Sequence, residues 1–398
     1  MKCRICDSSD FELIVDLKNQ PWGNHFLTKE EIGSEPFYPL KLIYCNKCST
    51  SQLDYTVKKE IMFGNHTYLS GITKSLKQHF YNVAKDIDDR FFKNNNDKSI
   101  LDIGSNDGTQ LESYKDLGYN ILGIEASKIT SGIANEKGLN TLNAFFNLDL
   151  AKTIKKNFDV INAAGVFYHL EELHSVTDGI KFLLKDDGVF VVQFCYMKNI
   201  LENVSFDQIY HEHLLYYNIK TLNYLLNLHG LELFDGYFSS NHGGSIIGLA
   251  THKGKRNVSE RLLKLIALEE KLNCNHLNTY KKFAKNIELL KIKNISYLNQ
   301  KKRENKVIYA MGAPVKGNTL LNYFDIGNDI ITYLVEKNTL RRNMFSPGKH
   351  IPIMIESEIK PPDVYYVLAW NFKNEILANN KHLIDKEVEF YFPINPKE

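Results

Sequence analysis

The fold is decided by Ser99-Ile-Leu-Asp-Ile-Gly-Ser-Asn-Asp-Gly108 and by Ile121-Leu-Gly-Ile-Glu125, with a helix-length segment between them. A short apolar run that meets Gly104 and Gly108 ahead of helix-forming residues predicts a buried strand turning sharply into a helix. Glycine suits such a turn because it accepts strained backbone angles and lets a ligand approach the main chain.

This turn also predicts a ligand site. The start of the helix offers unpaired N–H groups, and Glu125 at the tip of the next strand is placed to hold two ribose hydroxyls. Ser105, Asn106 and Asp107 separate the two glycines, so the turn lacks the full dinucleotide pattern G-x-G-x-x-G. Its acidic and amide side chains suit a cationic ligand such as S-adenosylmethionine better than a pyrophosphate, and an ordinary strand-to-helix turn is the alternative. The expected cofactor contacts here are Asp102, Gly104, Asn106, Gly108 and Glu125.

Residues 99–252 alternate between strand and helix patterns, which predicts a mostly parallel sheet covered by helices on both faces. Ligands on such sheets sit at the carboxyl ends of the strands, where Gly165 also falls. Asn143, Phe145 and Phe146 follow the expected third strand. The two phenylalanines would flank an adenine ring, or alternatively form a pair in the core.

Length and composition bound the class of protein. A chain of 398 residues predicts two or three domains, and 43% hydrophobic with 24% charged residues is typical of globular proteins. A net charge of +2 with scattered basic residues gives no reason to expect nucleic acid or an anionic membrane as a partner. No apolar run is long enough to span a bilayer and the first residues carry no secretory signal, so we expect a cytoplasmic protein.

Four of the six cysteines form two knuckles near the N-terminus, Cys3-x-x-Cys6 and Cys45-x-x-Cys48. Two such knuckles predict a tetrahedral zinc site made entirely of thiolates, since each tight turn supplies two ligands. With all four positions filled by protein, the metal is expected to be structural. A disulfide pair is the alternative, which the lack of a secretory signal disfavours.

The richest chemistry lies in Tyr210-His-Glu-His213, within a segment that also holds several other tyrosines. Two histidines, an acid and a phenol can polarise or deprotonate a substrate. A metal site and a solvent-facing polar cluster remain alternatives at this point. Tyr68 lies among small and polar residues at an expected domain junction, where its hydroxyl could reach a cleft or simply pack.

Four motifs follow one another along the chain: the paired cysteine knuckles, the turn at 101–111, the Tyr-His-Glu-His stretch and Gly312-Ala-Pro-Val-Lys-Gly-Asn-Thr-Leu-Leu-Asn-Tyr323. In this order they resemble the family of S-adenosylmethionine-dependent sugar C-methyltransferases, over nearly the whole chain. The resemblance implies an α/β protein of three domains. These are a zinc-binding domain at 1–65, a class I Rossmann-like methyltransferase domain at 66–252 and a second Rossmann-like domain, for the sugar nucleotide, at 253–398.

The resemblance also implies a reaction, in which C3 of a nucleotide-linked 4-keto-deoxysugar receives the methyl group. Tyr68, Tyr210, Glu212 and His213 match the family's Tyr and Tyr-x-Glu-His positions, with His213 as the base. A carbon next to a ketone becomes nucleophilic only after losing a proton, so the site must supply a base and stabilise the enolate oxygen. Glu212 would orient the imidazole, and the two tyrosines would bind oxyanion charge or position the sugar.

The C-terminal part repeats the strand, glycine turn and acid-tipped strand layout between Lys306 and Glu336. The loop at 312–319 is therefore expected to receive the phosphates or the sugar of the substrate, and a solvated loop lysine is the alternative. The expected substrate contacts are Gly312, Lys316, Asn318 and His242.

Two positions depart from the family pattern. Gln193 stands where the family has an acid, and Ile247 stands where it has an arginine. Because a missing charge can signal a different substrate, a sugar O-methyltransferase of the same architecture is the first alternative. A nucleotide-sugar binding protein without catalysis is the second.

Overall fold

The structure, a computed structural model, describes residues 1–64, 66 and 68–395, apart from the side chains of Ile72 and His242. Three β-sheets organise the chain, and helices pack around them. This arrangement confirms the α/β class predicted from the sequence. No helix in the described ranges is both long and apolar enough to cross a membrane.

The first sheet is antiparallel, with the strand order β1-β2-β3-β9. Its strands are β1 (Phe11–Pro21), β2 (Phe37–Cys45), β3 (Ser51–Leu53) and β9 (Leu215–Tyr216). Strand β9 comes from far along the chain and pairs Tyr216 with Ser51 and Leu215 with Gln52. The stretch that contains the Tyr-His-Glu-His motif is thereby fastened to the N-terminal sheet.

The second sheet has seven strands in the order β10-β11-β8-β7-β4-β5-β6. The pairs from β6 across to β8 are parallel, whereas β11 runs antiparallel to both of its neighbours. All five residues of β4 are buried, as expected of a central strand covered on both faces. The strands are β4 (Ser99–Ile103), β5 (Asn120–Glu125), β6 (Thr141–Asn143), β7 (Phe158–Ala164), β8 (Leu184–Cys195), β10 (Leu231–Ser239) and β11 (Ser245–His252).

The third sheet has five strands, all parallel, in the order β14-β13-β12-β15-β16. Its order reverses between β12 and β15, so the loops after these two strands flank the crevice where open parallel sheets bind ligands. In the second sheet the corresponding crevice lies between β4 and β7. The strands are β12 (Ile308–Met311), β13 (Leu334–Glu336), β14 (Ile353–Ile355), β15 (Val364–Val367) and β16 (Glu389–Tyr391).

Helix α10 (Leu277–Arg303) contacts both the N-terminal and the C-terminal parts of the chain. Its Tyr280 ring lies 5.0 Å from the ring of Tyr44 on β2, and Asn294 donates to the carbonyl of Pro393 at 3.2 Å. The α-helices are α1 (Lys59–Phe63), α2 (Lys74–Ile87), α3 (Thr109–Asp116), α4 (Lys128–Glu136), α5 (Leu148–Thr153), α6 (Leu173–Leu183), α7 (Met197–Asn203), α8 (Ile219–Leu228), α9 (Glu260–Lys271), α10 (Leu277–Arg303), α11 (Val315–Phe324), α12 (Lys373–Asn379) and α13 (Lys381–Ile384).

One apolar core runs through all three sheets. The same cluster of buried side chains includes Leu17 on β1, Phe194 on β8 and Phe324 on α11. Burial of this kind is the dominant favourable term in folding, so the three sheets stabilise one another. The domain limits drawn at residues 65 and 252 stay a prediction, and β9 crosses the first of them by joining the N-terminal sheet.

Candidate functional site

The turn after β4 adopts the backbone that its glycines allow. Gly104 has φ +72° and Gly108 has φ +80°, a region that L side chains rarely adopt. A Cβ atom at Gly104 would lie 2.4 Å from Val166, and one at Gly108 would lie 2.4 Å from Leu139. Neither position has room for a side chain, so both require glycine for the backbone angle and for the close packing of Val166 and Leu139.

Glu125 closes the other side of this turn. Its carboxylate accepts backbone N–H groups of Asn106 and Ser127, both at 2.8 Å. Burial raises the pKa of Glu125, while these hydrogen bonds act in the opposite direction. A carboxylate fixed in this way has lone pairs left to accept ribose hydroxyls. These acceptor oxygens therefore fit the ribose hydroxyls in the nucleoside part of S-adenosylmethionine.

Asp102 lies below the turn rather than on it. Its side chain is buried and accepts the amide of Asn162 at 2.6 Å. The pKa of Asp102 is raised to about 7, chiefly by burial, with the Asn162 hydrogen bond opposing the rise and the charge of Glu125 adding to it. A direct contact between Asp102 and the cofactor remains a prediction.

Asn143, Phe145 and Phe146 occupy different environments. The amide of Asn143 donates to the carbonyls of Glu125 and Ala126, so it braces the strand tip. The ring of Phe145 is half-buried, with the ammonium of a lysine 4.9 Å from its centroid. Phe146 is buried and packs against Gly179, as the alternative of a core residue predicts. An aromatic contact to adenine stays a prediction, to which the half-buried Phe145 is better suited.

The four N-terminal cysteines lie together, as the knuckle spacing predicts. Their sulfur atoms all fall within 4.8 Å of one another. The Sγ atoms of Cys3 and Cys48 are 3.6 Å apart, and those of Cys6 and Cys45 are 3.5 Å apart. A zinc ion with Zn–S bonds of about 2.3 Å has S···S edges of about 3.8 Å, so the four thiolates match a ZnS₄ tetrahedron. This centre would take no water or substrate.

His213 is the buried centre of the Tyr-His-Glu-His segment. Its Nδ1 faces the carbonyl oxygen of Gln208 at 3.0 Å. A carbonyl can only accept, so a neutral His213 carries its proton on Nδ1 and keeps the lone pair on Nε2. The rings of Tyr210 and Tyr168 lie 3.9 and 4.6 Å from the imidazole ring, centroid to centroid. This tautomer is the one that a general base acting through Nε2 requires.

Glu212 is buried beside His213 and is held by the N-terminal region. Trp22 donates its indole N–H to Oε1 at 2.6 Å. Burial raises the pKa of Glu212 to about 7, and the indole hydrogen bond opposes this rise. Within the described residues, Oε2 of Glu212 has no hydrogen-bond partner. A substrate hydroxyl or a water molecule could donate a hydrogen bond to this oxygen.

His211 and Tyr68 lie in two different surroundings, against β2 and beside the glycine turn respectively. His211 is buried against β2, with its Nε2 3.4 Å from the carbonyl of Tyr38, so the motif does not present two imidazoles to one metal ion. The polar-surface alternative is also wrong, because the segment is buried. Tyr68 is 52% exposed, and its carbonyl accepts the amide of Asn106 at 2.9 Å. Tyr68 therefore borders the glycine turn.

The glycine turn and His213 meet at the loop that follows β7. Val166 in this loop packs against Gly104, as the 2.4 Å approach described above shows. Tyr168 in the same loop packs against His213. Gly165, with φ +72°, begins the loop, and a Cβ there would lie 3.5 Å from the hydroxyl of Tyr168. The structure thus brings the predicted cofactor turn and the predicted base to opposite ends of one short loop.

Lys316, on α11, lies close enough to Asp207 for the two charges to affect each other. Its ammonium lies 3.8 Å from the ring centroid of Trp370 and donates to Asn371 at 2.7 Å. Burial lowers the pKa of Lys316 to about 8, and the charge of Asp207 opposes that fall. Burial raises the pKa of Asp207 to about 6 while Lys316 pulls it down. Lys316 is therefore a partly desolvated cation near the crevice and not a solvated loop charge.

The other predicted substrate contacts differ in their placement. Gly312, with φ +83°, forms the turn after β12. Asn318 is buried and donates its amide to the carbonyl of Gly23 at 2.6 Å. That hydrogen bond ties α11 to the N-terminal region, and a contact between Asn318 and the substrate stays a prediction. The side chain of His242 lies outside the described residues.

Sequence reasoning missed Trp22, Asp207, His169 and Trp370. His169 hydrogen-bonds through Nδ1 to the carbonyl of Glu212, and its ring lies 5.2 Å from that of His213. Trp370 donates its indole N–H to Asp207 at 2.7 Å. The sequence offered one signal for two of these residues, namely that the chain contains just two tryptophans.

Comparison with known proteins agrees with these features. Three family models match successive parts of the chain: a zinc binding domain at residues 3–63, a methyltransferase domain at 76–235 and a C-methyltransferase C-terminal domain at 240–395. The C-methyltransferase NovU of Streptomyces niveus is 28% identical over 400 residues, covering 99% of this chain and 95% of that protein.

Solved structures of methyltransferases match a little under half of the chain. Magnesium protoporphyrin IX methyltransferase from Synechocystis PCC 6803 with bound SAH is 16% identical, with a TM-score of 0.36 over 44% of this chain and 83% of its own. An S-adenosylmethionine-dependent methyltransferase from Clostridium acetobutylicum ATCC 824 is 14% identical, with a TM-score of 0.37 over 46% of this chain and 94% of its own.

Proposed function

We propose that this chain is an S-adenosylmethionine-dependent C-methyltransferase, because its successive parts match the models of a zinc binding, a methyltransferase and a C-methyltransferase C-terminal domain. Its substrate and its base are proposed on this premise. The substrate is a nucleotide-linked keto-deoxysugar, methylated at the ring carbon next to its ketone, expected to be C3. His213 removes the proton from that carbon. S-adenosylmethionine, when bound, supplies the methyl group as an activated sulfonium.

One observation carries this proposal: His213 is buried and its Nδ1 is held by the Gln208 carbonyl at 3.0 Å. Its Nε2 lone pair takes the proton from the sugar carbon, and the electron pair of the broken C–H bond moves into an enolate whose charge rests on the ketone oxygen. Glu212, the preceding residue, is the proposed group that orients the imidazole. Proton and charge are thus both accounted for within the site.

Neighbouring groups have matching roles in the proposal. Tyr210 packs against the imidazole with its ring tilted by 38°, and Tyr68 borders the glycine turn, so both phenols are candidates for hydrogen bonds to the enolate oxygen or to the sugar. Glu212 offers its Oε2 to a sugar hydroxyl. Lys316 and the Gly312 turn flank the crevice of the third sheet and would meet the phosphates.

Solvent exchange tests the proposal directly. The enzyme is incubated with candidate nucleotide sugars in deuterium oxide, with S-adenosylhomocysteine in place of the methyl donor. We expect deuterium at the carbon beside the ketone with the wild-type enzyme and none with His213→Ala, while both proteins bind S-adenosylhomocysteine alike. Wild-type-like exchange or turnover by His213→Ala would remove His213 as the base.

The same experiment separates the alternatives. A sugar O-methyltransferase would deprotonate a hydroxyl and leave the ring carbon unlabelled, and its product would carry the methyl group on oxygen. The methyltransferase matches favour an enzyme over the non-catalytic binding protein, which would form no S-adenosylhomocysteine from S-adenosylmethionine. The nucleotide and the sugar are then read from whichever member of a panel of uridine, thymidine, guanosine and cytidine diphosphate sugars is labelled.

A further inference from the structure

Both tryptophans of the chain hold a buried carboxyl group of the catalytic segment. Trp22 follows β1 and donates its indole N–H to Glu212, whereas Trp370 follows β15 and donates to Asp207. The two donor distances are nearly equal, 2.6 and 2.7 Å. The N-terminal region and the C-terminal region therefore each provide one indole N–H donor to the segment that contains the proposed base.

The contact at Asp207 leads to His213 through the backbone. Asp207 is the middle residue of a 3₁₀ turn at Phe206–Gln208, and its side chain is fully buried. The last carbonyl of this turn, that of Gln208, is the acceptor for Nδ1 of His213. Any rotation of the turn would move that carbonyl and release the Nδ1 proton.

Trp370 has little freedom to move. A Cβ on Gly243 would lie 2.9 Å from the indole ring, so this glycine leaves just the space that the ring fills. The Lys316 ammonium lies against the ring at 3.8 Å. The ring is fully buried. A fixed indole N–H can define the direction of the Asp207 carboxyl group, because a hydrogen bond is directional. Packing of the neighbouring Phe206 ring lacks this directionality.

We propose that Trp370 is a positioning residue: by binding Asp207 it fixes the turn whose Gln208 carbonyl keeps the proton of neutral His213 on Nδ1 and leaves Nε2 as the base. This inference rests on the proposed role of His213. It makes the C-terminal region a determinant of proton abstraction in addition to its expected role toward the substrate.

The test is Trp370→Phe, which keeps an aromatic ring beside Lys316 and removes the indole N–H. The tautomer is read by ¹⁵N NMR of histidine-labelled protein, with the His213 signals assigned by their loss in His213→Asn. We expect the Nδ1–H tautomer in the wild type and a mixture with Nε2–H in Trp370→Phe. Deuterium exchange at the sugar carbon should slow by about tenfold to a hundredfold, as expected for losing one hydrogen bond to a charged group. Affinity for S-adenosylhomocysteine should not change.

Two variants at Asp207 extend the test. Asp207→Asn keeps an oxygen for the indole N–H and should retain the wild-type tautomer and most of the exchange rate. Asp207→Leu removes the acceptor and should reproduce Trp370→Phe, and it serves as the test if Trp370→Phe does not fold.

Trp22→Phe is the matched control, since it deletes the same N–H group on the other carboxyl and should leave the tautomer of His213 unchanged. An unchanged tautomer in both Trp370→Phe and Asp207→Leu, or an equal change in Trp22→Phe, would overturn the inference. Failure of the proposed function is a separate result, namely exchange that persists in His213→Ala.

Discussion

Replacing Trp22 by phenylalanine should change how the protein's stability depends on pH. The substitution removes the indole N–H that donates to Glu212 at 2.6 Å and keeps an aromatic ring in the loop. Glu212 is 4% exposed, and burial raises its pKa to about 7 against the opposing effect of this hydrogen bond. A hydrogen bond to a charged group contributes about 1.5–3 kcal/mol, equivalent to about one to two pKa units. We therefore expect the pKa of Glu212 to rise by about that amount in the variant.

The sign of the effect follows from proton linkage. An unfolded glutamate titrates near about pH 4.3, so between that pH and about 7 the folded wild type binds more protons than the unfolded chain and loses stability as the pH rises. In Trp22→Phe this loss continues above pH 7. At pH 5 both proteins hold a neutral acid and differ by about 1 kcal/mol or less, the worth of a neutral hydrogen bond. Well above pH 7, the gap should exceed its value at pH 5 by about 1.4–2.7 kcal/mol, which is one to two pKa units at about 1.36 kcal/mol each.

The measurement is chemical denaturation at pH 5 and pH 8.5, followed by far-ultraviolet circular dichroism because Trp22 itself contributes to the fluorescence. The control introduces Trp22→Phe into a Glu212→Gln background, where the substitution should change the free energy of unfolding only slightly and equally at both pH values. The reasoning is refuted if the gap is equal at the two pH values in the presence of Glu212, or if its pH dependence persists without Glu212.

Three further predictions concern the metal centre and the cofactor turn. Cys45→Ser should reduce bound zinc from about one equivalent to nearly none and lower the melting temperature, as measured by metal analysis and calorimetry. Gly108→Ala should cost about 2–5 kcal/mol of unfolding free energy, because φ +80° is strained for alanine and its Cβ would meet Leu139 at 2.4 Å; an unaltered denaturation midpoint would contradict this. Glu125→Gln replaces one of two acceptor oxygens facing backbone N–H groups by an amide donor, so affinity for S-adenosylhomocysteine should fall by at least about tenfold in titration calorimetry, whereas undiminished affinity would exclude Glu125 from the cofactor site.

Local patterns in the sequence carried the parts of the site that lie close together in the chain. The turn from Gly104 to Gly108 and its acid at Glu125 follow from one strand, one turn and the next strand. The cysteine knuckles are equally local, and pairing them required knowing just that thiolates bind zinc four at a time. Each of these patterns has a fixed spacing, so each could be predicted without the fold.

Contacts between distant residues left no such pattern. Trp22 and Glu212 are 190 positions apart, and Asp207 and Trp370 are 163 positions apart. A single tryptophan or aspartate shows no period that marks its partner, and the partner is set by how the three sheets pack. The pKa of Glu212 depends on that packing as well, because burial is its largest cause.

Two predicted ligand contacts rested on proximity in the sequence. Phe146 and Asn318 both lie beside residues of the expected sites, and proximity in sequence suggested contact with a ligand. In the fold, Phe146 points into the core beneath α6 and Asn318 points toward the N-terminal region. Neighbours along a chain share a loop, but they need not share the face of it that a ligand meets.

The pairing of β9 with β3 has a consequence for biosynthesis. The N-terminal sheet cannot be completed until residues 215–216 leave the ribosome, which at ordinary translation speeds is about 10–30 s after β3 has emerged. During that interval the growing chain exposes an unpaired strand edge, the kind of surface that recruits other strands. The first 65 residues made as a separate fragment would keep that edge permanently, so zinc alone would not give them the architecture they have in the whole enzyme.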